Sequence, residues 1–377
     1  MTVLRLELRD FRNYERAALE PGPGLTVITG PNGAGKTNLL EGLYFALTAR
    51  SCRTSNEREM VRSGCRATRA AAEVAAEDGP HLLEVGFAPG EEKRVRVDGA
   101  RPDGAAATLP RPLVSVFLPD RLELVKGAPA LRRAHLDQLV AAAWPARADL
   151  RSRYARALTQ RNALVARIRA GAAGADQLDA WDAELARHGL DIMSARREAI
   201  DLLAPRFVRR AADLGLPDPA ALRYAPRSRA DSADGLRAEL AGRRQTDLER
   251  GFTTHGPHRD DVALTHGERS LRSYGSQGQQ RIGLLALLFA ERDTLIELGR
   301  PPLMLLDDVM SELDQARRER LADLVRDGGQ TIVTATDPGL VPGAGAEDVR
   351  VVEVLDGRLN VTLDSSVTPG GIAEVER

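Results

Sequence analysis

Leu25-Thr26-Val27-Ile28-Thr29-Gly30-Pro31-Asn32-Gly33-Ala34-Gly35-Lys36-Thr37-Asn38 is the stretch from which the rest of this chain is read. A β-branched apolar run enters a glycine-rich turn, and a helical pattern begins at Lys36 and continues to about Thr48, giving strand, loop, helix. Gly30 to Thr37 fits G-x-x-x-x-G-K-[ST], the P-loop. Glycines let successive backbone N–H groups turn inward around phosphate oxygens, at a helix N-terminus whose dipole also favours anions. Lys36 is then the cation for the β- and γ-phosphates, and the Thr37 hydroxyl is a Mg²⁺ ligand. The bland alternative is a glycine-rich loop that merely turns. The only lysines are Lys36, Lys93 and Lys126, so a compact ammonium kept in an arginine-rich chain suits a point charge between phosphates.

Downstream, Leu303-Met304-Leu305-Leu306-Asp307-Asp308 is an apolar strand ending in two carboxylates, the form of a Walker B motif. Asp307 is the expected Mg²⁺ partner and Asp308 the group that polarises the attacking water. Paired aspartates at a strand end also serve as helix caps, which is the structural alternative. Between the two motifs, Ser276-Gln277-Gly278-Gln279 opens the apolar helix GLLALLFA, where a hydroxyl and free N–H groups can donate to an anion or Ser276 can simply cap.

Around these motifs the chain alternates in character. Residues 3–9 read as a strand, and 81–87 with 93–98 as a hairpin about Ala88-Pro89-Gly90-Glu91. From about 120 to 250 strand signals vanish and apolar residues recur at helical spacing; the break Gly171-Ala172-Ala173-Gly174 predicts a helical hairpin with short arms. After Gly251 the α/β pattern returns, with helices near 278–298 and 314–327, a strand at 331–334, and Asp356-Gly357 as a type I′ hairpin turn. The expectation is one discontinuous α/β domain, 1–119 with 251–377, interrupted by a helical lobe at 120–250 and closed by a tail at 366–377.

At 377 residues the chain is long enough for two or three domains. No apolar run approaches the roughly 20 residues that span a bilayer, and the N-terminus alternates apolar and charged residues, so a cytoplasmic location is expected. Cys52 and Cys65 have no metal-ligand spacing and read as free thiols. A net charge of −1 gives no global pull on nucleic acid, which leaves DNA contact to local patches such as Arg50, Arg53, Arg58, Arg62, Arg66 and Arg69.

Ser276-Gln277-Gly278-Gln279, placed between P-loop and Walker B, resembles the ABC signature, and Ser311-Glu312-Leu313-Asp314 sits where that superfamily has its D-loop. The stretches LRDFRNY (8–14), GPNGAGKTNLLEGLY (30–44), FLPDRLELVKGAPALRRAHLD (117–137), THGPHRDD (254–261), YGSQGQQR (274–281) and LLDDVMSELD (305–314) together resemble the RecF family of recombination mediators. The resemblance implies an ABC-type ATPase head, like the heads of SMC proteins but without their long coiled coil. It implies ATP and Mg²⁺ as ligands, with Ser276, Gly278 and Gln279 closing the site of a partner copy, Asp314 touching the opposite site, and Arg12 contacting nucleotide phosphate. Arg12 as an ordinary edge-strand surface residue remains the alternative.

The same resemblance implies an ATP-dependent homodimer that binds gapped or single-strand/double-strand junction DNA and acts with RecR and RecO to load RecA. The associated setting is DNA replication, DNA damage and the SOS response. Asp308 stands where the superfamily has glutamate, and Thr336 replaces its switch histidine, so ATP hydrolysis should be weak and should serve as a timer. Residues 117–120 contain no Q-loop glutamine, which also counts against the alternative of a membrane-transporter ATPase subunit. A small-molecule P-loop kinase is a third reading, and it leaves the signature unexplained. His255, His258, Asp260 and Asp261 can be written as a metal cluster, although the family stretch they match is not a metal site.

Overall fold

The computed structural model describes residues 1–102, 113–118, 122–216 and 219–361. The expected tail at 366–377, and Pro119 and Asp120, lie outside them. In chain order the elements are β1 (Thr2–Phe11), β2 (Tyr14–Leu19), β3 (Leu25–Thr29), α1 (Lys36–Thr48), β4 (Thr68–Ala76), β5 (Gly79–Phe87), β6 (Arg94–Val97) and β7 (Val114–Phe117). Then follow α2 (Glu123–Lys126), α3 (Pro129–Ala143), α4 (Leu150–Arg169), α5 (Leu178–Asp213), β8 (Ala220–Ala225), α6 (Ala233–Ala241), α7 (Arg244–Arg250), β9 (Asp261–His266), β10 (Arg269–Ser270), α8 (Leu271–Tyr274) and α9 (Gln277–Glu297). The chain closes with β11 (Leu303–Leu306), α10 (Gln315–Arg326), β12 (Thr331–Ala335), β13 (Arg350–Leu355) and β14 (Arg358–Val361).

Two compact units result, 1–119 with 302–377, and 120–301. The first contains two sheets. One has the order β14-β13-β3-β12-β11-β7, parallel except for β14 at its edge; the other is the antiparallel sheet β2-β1-β4-β5-β6. Helix α1 is buried on most of its circumference, and Leu39, Leu40, Leu43, Phe45 and Leu47 share one core with Leu6, Leu8, Ile28, Val74, Leu305 and Ile332. A helix apolar almost all round has to be enclosed on more than one side, which is why the P-loop helix is so firmly fixed. Gly42 is required there: a Cβ would sit 2.7 Å from the Leu8 methyls. The Asp356-Gly357 turn has positive φ at both residues (47° and 73°), as type I′ demands.

The second unit is mostly helical, with α5 running 36 residues through Pro205. One arm of the expected hairpin is therefore long and the other, α4, is 20 residues. Two further departures appear. Strand β8 lies in the region read as purely helical, held antiparallel to β9 from Ala220↔His266 to Ala225↔Asp261. The units also divide after Pro301 and not after residue 250, because α9 packs on α5: Arg209 and Arg210 both reach Asp293 (3.2 and 2.7 Å), and Arg206 pairs with Glu297. Residues 251–301, signature included, thus fold with the helical unit.

Candidate nucleotide site

In the first unit, parallel strands β3 and β11 deliver the P-loop and the aspartate pair to the same edge of the sheet, with β12 between them. Gly30, Gly33 and Gly35 have φ of 145°, 84° and 117°, conformations that side chains resist. At Gly30 a Cβ would run into the Val354 carbonyl, and at Gly35 into Asn13 and Tyr14. Asn13 and Tyr14 instead bond the loop: Asn13 Nδ2 donates to the Ala34 carbonyl at 3.0 Å and the Tyr14 hydroxyl to the Gly35 carbonyl at 3.0 Å. Pro31, Asn32 and Gly33 are exposed at the loop tip. No side chain caps α1 and its first turn has no acid, so its leading N–H groups are left to donate to an anion.

Lys36 is buried and folds back to donate to the Gly30 and Pro31 carbonyls (2.7 and 3.0 Å). Burial lowers its pKa, while the charges of Asp308 and Asp307 oppose that shift. The Thr37 hydroxyl lies 2.8 and 3.0 Å from the two carboxylate oxygens of Asp307. Burial pushes the Asp307 carboxyl up, opposed by hydrogen bonds from Thr334 and Thr37. A hydroxyl and a buried, charge-starved carboxylate side by side next to an uncapped phosphate cradle are a hard-oxygen donor set that fits Mg²⁺.

Asp308 has φ 46°, in the left-handed region that few residues other than glycine adopt, and its buried Oδ1 has no hydrogen-bond partner among the described residues. Its backbone is fixed instead, with its N–H donating to Thr334 Oγ1 (2.9 Å) and its carbonyl accepting from Ser311 Oγ (3.0 Å). Thr334, on β12, also donates to Asp307 Oδ1 at 2.7 Å. Sequence reading missed Thr334; its signal was a threonine near the end of the strand adjoining Walker B.

Arg12 lies beside the loop, but its guanidinium makes a bidentate pair (2.8 and 2.9 Å) with Glu41, a carboxylate of α1 with no exposed surface. Ser51 donates to the same carboxylate at 2.5 Å, and Arg53 stands 3.4 Å from it while donating to Asn38 Oδ1 at 2.9 Å. Asn38 in turn donates to Asn13 at 2.9 Å. Arg12 is thus neither a loose surface residue nor free for phosphate in this conformation. Asp314 caps α10 through the N–H of Arg317 (2.9 Å).

The signature residues sit in the second unit. Ser276, Gln277 and Gly278 are exposed at the start of α9, and Ser276 and Gln279 form a reciprocal capping box (3.2 and 2.9 Å). Tyr274, just before them, is 70% exposed. The 254–261 stretch is occupied by packing: His258 Nδ1 meets the Tyr154 hydroxyl at 2.7 Å, His255 pairs with Glu239 at 2.6 Å, Asp261 holds Arg132, and Asp260 accepts from the Arg227 N–H at 2.8 Å. Burial holds His258 down at about 4, so it is neutral. Among the described residues no group of three or more His, Cys, Asp or Glu side chains could hold a metal ion, and the side chains of this stretch are taken up by the pairs above.

The AAA domain family matches residues 5–100. The fold is similar to that of the Smc head bound to the C-winged helix domain of ScpA (18% identity, TM-score 0.59, 96% of this chain and 97% of that chain), so the architecture is that of an SMC head. Two curated relatives are the DNA replication and repair proteins RecF of Myxococcus xanthus (40% identity, 98% of this chain and 100% of the relative) and Streptomyces avermitilis (37%, 91% and 95%). A solved structure of the recombination mediator RecF with ATP, in the RecFOR pathway, aligns over 96% of this chain and 98% of that chain at 26% identity and TM-score 0.82. The chain belongs to the RecF family.

Proposed function

We propose that this chain is an ATP-dependent DNA-binding protein of recombinational repair: it dimerises on ATP, recognises gapped or junction DNA, and cooperates with RecR and RecO in loading RecA. Weak, DNA-dependent hydrolysis resets it. The observation that supports this most directly is the Thr37 hydroxyl 2.8 Å from the buried Asp307 carboxylate, beside an uncapped α1. Family membership supports the repair setting, and a similar chain solved with ATP supports reading the P-loop as the nucleotide site.

The chemistry follows from the residues. The Gly33 to Asn38 segment offers N–H groups to the phosphates, and Lys36 exchanges its two loop carbonyls for phosphate oxygens, regaining the charge partners that burial denies it. Thr37 and Asp307 would hold Mg²⁺, which when bound would supply neutralisation of phosphate charge. Asp308, fixed by its backbone with an unpartnered Oδ1, accepts a hydrogen bond from the water that attacks the γ-phosphorus and polarises it. Ser276, Gly278 and Gln279 of a second copy complete the pocket, and Asp314 lies at the contact. Among the described residues no helix is long and apolar enough to cross a membrane.

Complementation tests the shared site. Lys36→Met removes the phosphate cation, and Ser276→Arg puts bulk and positive charge at the γ-phosphate, so each variant alone forms only damaged sites. In the mixed dimer one site pairs the intact P-loop of the Ser276→Arg chain with the intact signature of the Lys36→Met chain. ATPase activity should return on mixing. Heterodimers shown to form, yet inactive at every ratio, overturn the shared-site reading.

A further inference from the structure

Helix α4, LRSRYARALTQRNALVARIR, contains six arginines and no acid. Among the described helices of eight or more residues it alone lacks Asp and Glu. One arginine is structural: Arg161 is fully buried and neutralised by Asp182 and Asp247, both at 2.7 Å. The other five are exposed, and of these Arg153 pairs with Asp149 at 2.5 Å. Arg151, Arg156, Arg167 and Arg169 have no carboxylate within ion-pair distance among the described residues.

These charges do not serve the helix itself. Arg151 and Arg153 stand at the N-terminal end, where the dipole is positive; Asp149 at the N-cap offsets Arg153, whereas Arg151 sits there against the dipole with no acid in the first turn. The i,i+3 pair Arg153 and Arg156 adds like-charge repulsion. Buried Tyr154, Ala157, Arg161, Leu164 and Val165 define the inner arc; Arg156 and Arg167 lie on one side of the outer one, nearly in line along the helix, three turns and about 16 Å apart. Small or uncharged Ala155, Thr159, Gln160, Ala163 and Ala166 surround them, which permits close approach and offers the Gln160 amide as a donor, the Thr159 hydroxyl being spent on the Ala155 carbonyl.

We infer that the outer face of α4 is a landing surface for the sugar-phosphate backbone of duplex DNA, read without base specificity. The inference rests on the DNA-binding reading above and specifies its surface. About 16 Å of arginine-bearing helix spans roughly five base pairs of phosphate at 3.4 Å per pair. Duplex is favoured over single strands because single-strand binders stack bases on aromatic rings, and the one aromatic of α4, Tyr154, is buried.

The test uses the full chain with ATP and Mg²⁺ and measures affinity for short blunt duplex DNA across a salt series. Arg156→Gln with Arg167→Gln should flatten the slope of log K against log salt by about 1.8, or 0.9 per lost contact, and weaken binding roughly fiftyfold at 0.1 M salt. Arg156→Lys with Arg167→Lys should retain the slope, since phosphate asks only for charge. The control Arg187→Gln, at an arginine already paired with Glu184, should leave it unchanged. ATP binding, ATP-driven association and ATPase activity measured without DNA should be parental in all of them. Parental duplex affinity and slope in the double glutamine variant overturn the inference while the DNA-binding reading stands; an equal loss for the Arg187 control, or a larger loss for single strands than for duplex, also overturns it. Absence of DNA binding by the parent sinks both, and is told apart by that arm alone.

Discussion

Thr334→Val replaces a fully buried hydroxyl by a methyl of the same shape, so no cavity forms and only hydrogen bonding changes. Two bonds are lost, the 2.7 Å donation to Asp307 Oδ1 and the 2.9 Å acceptance from the Asp308 N–H. The first is a bond to a carboxylate, worth about 1.5–3 kcal/mol when that group is ionised; the second leaves a backbone donor unsatisfied, at about 1–3 kcal/mol. The pair is coupled through one oxygen, so the expected destabilisation is about 2–4 kcal/mol rather than the full sum. Loss of the Thr334 bond also removes the largest of the three interactions, with Thr334, Thr37 and Arg53, that hold the Asp307 carboxyl down against burial, and Asp307 should protonate more readily.

Both tryptophans, Trp144 and Trp181, belong to the second unit and are poor reporters here. Hydrogen exchange of the β11 and β12 amides and far-ultraviolet circular dichroism of thermal unfolding read the first unit directly. ATPase activity should fall by about 10- to 100-fold, because roughly 1.4–2.7 kcal/mol of positioning is removed from Asp308. Thr334→Ser keeps the hydroxyl and should restore most of the activity despite losing a methyl. If the valine variant matches the parent in exchange and activity to within about 0.5 kcal/mol, Thr334 does not organise the aspartate pair.

Asp307→Asn should stabilise the nucleotide-free protein while ending Mg²⁺-dependent stabilisation by ATP. Because burial raises this carboxyl above its usual value of 3.8, the folded state holds the proton more tightly than the unfolded one. Parental stability therefore falls as pH rises through that range and stays lower above it, so the gain should vanish in acid; melting curves across pH with the Asn variant lagging at neutral pH would refute it. Asp308→Asn should bind ATP and persist as a dimer without turnover, read by sizing with and without ATP; parental hydrolysis moves the water-polarising group elsewhere. Asp182→Ala leaves buried Arg161 with half its counter-charge and Arg244 with Asp179 as its one remaining carboxylate, and should cost about 3–5 kcal/mol in the tryptophan-monitored transition of the second unit, against a near-neutral result if the network were loose.

Where function and fold depend on neighbouring residues, the sequence was plain. The strand, P-loop and α1 share one local pattern; helix start and end at Lys36 and Thr48 coincide with expectation, as does the Asp356-Gly357 turn. Where they depend on distant partners it was not. Strand β4 is TRAAAEVAA, poor in β-branched residues, and exists because it pairs with β1 on one side and β5 on the other. Strand β8 is set by β9 in the same way. The boundary after Pro301 follows from ion pairs between α5 and α9, residues more than 80 positions apart. Arg12 could not be resolved for the same reason, since its counter-charge Glu41 lies on the buried side of a helix whose periodicity reads as apolar.

Ser276 was open to two readings, cap or phosphate ligand, and the capping box settles only the first. They do not compete for the same electrons. As a cap the Ser276 oxygen accepts from the Gln279 N–H, which uses a lone pair and leaves its O–H free to donate; Gln279 spends its carbonyl on the Ser276 N–H and keeps two amide donors. The capped conformation therefore presents outward the hydrogen atoms that an anion needs, together with the open N–H groups of the first turn of α9, and does so before any partner arrives. Such preorganisation lowers the ordering cost of closing a shared site. At Gly278 a Cβ would meet nothing nearer than 3.9 Å within its own chain, so on the proposed shared site the close approach that glycine permits would be that of the partner's nucleotide. Gly278→Ala should accordingly leave the isolated chain as stable as the parent, apart from a helix-propensity gain of up to about 1 kcal/mol, and weaken only the ATP-driven dimer. Unaltered dimerisation in that variant would mean that nothing approaches α9 closely enough to notice a methyl group.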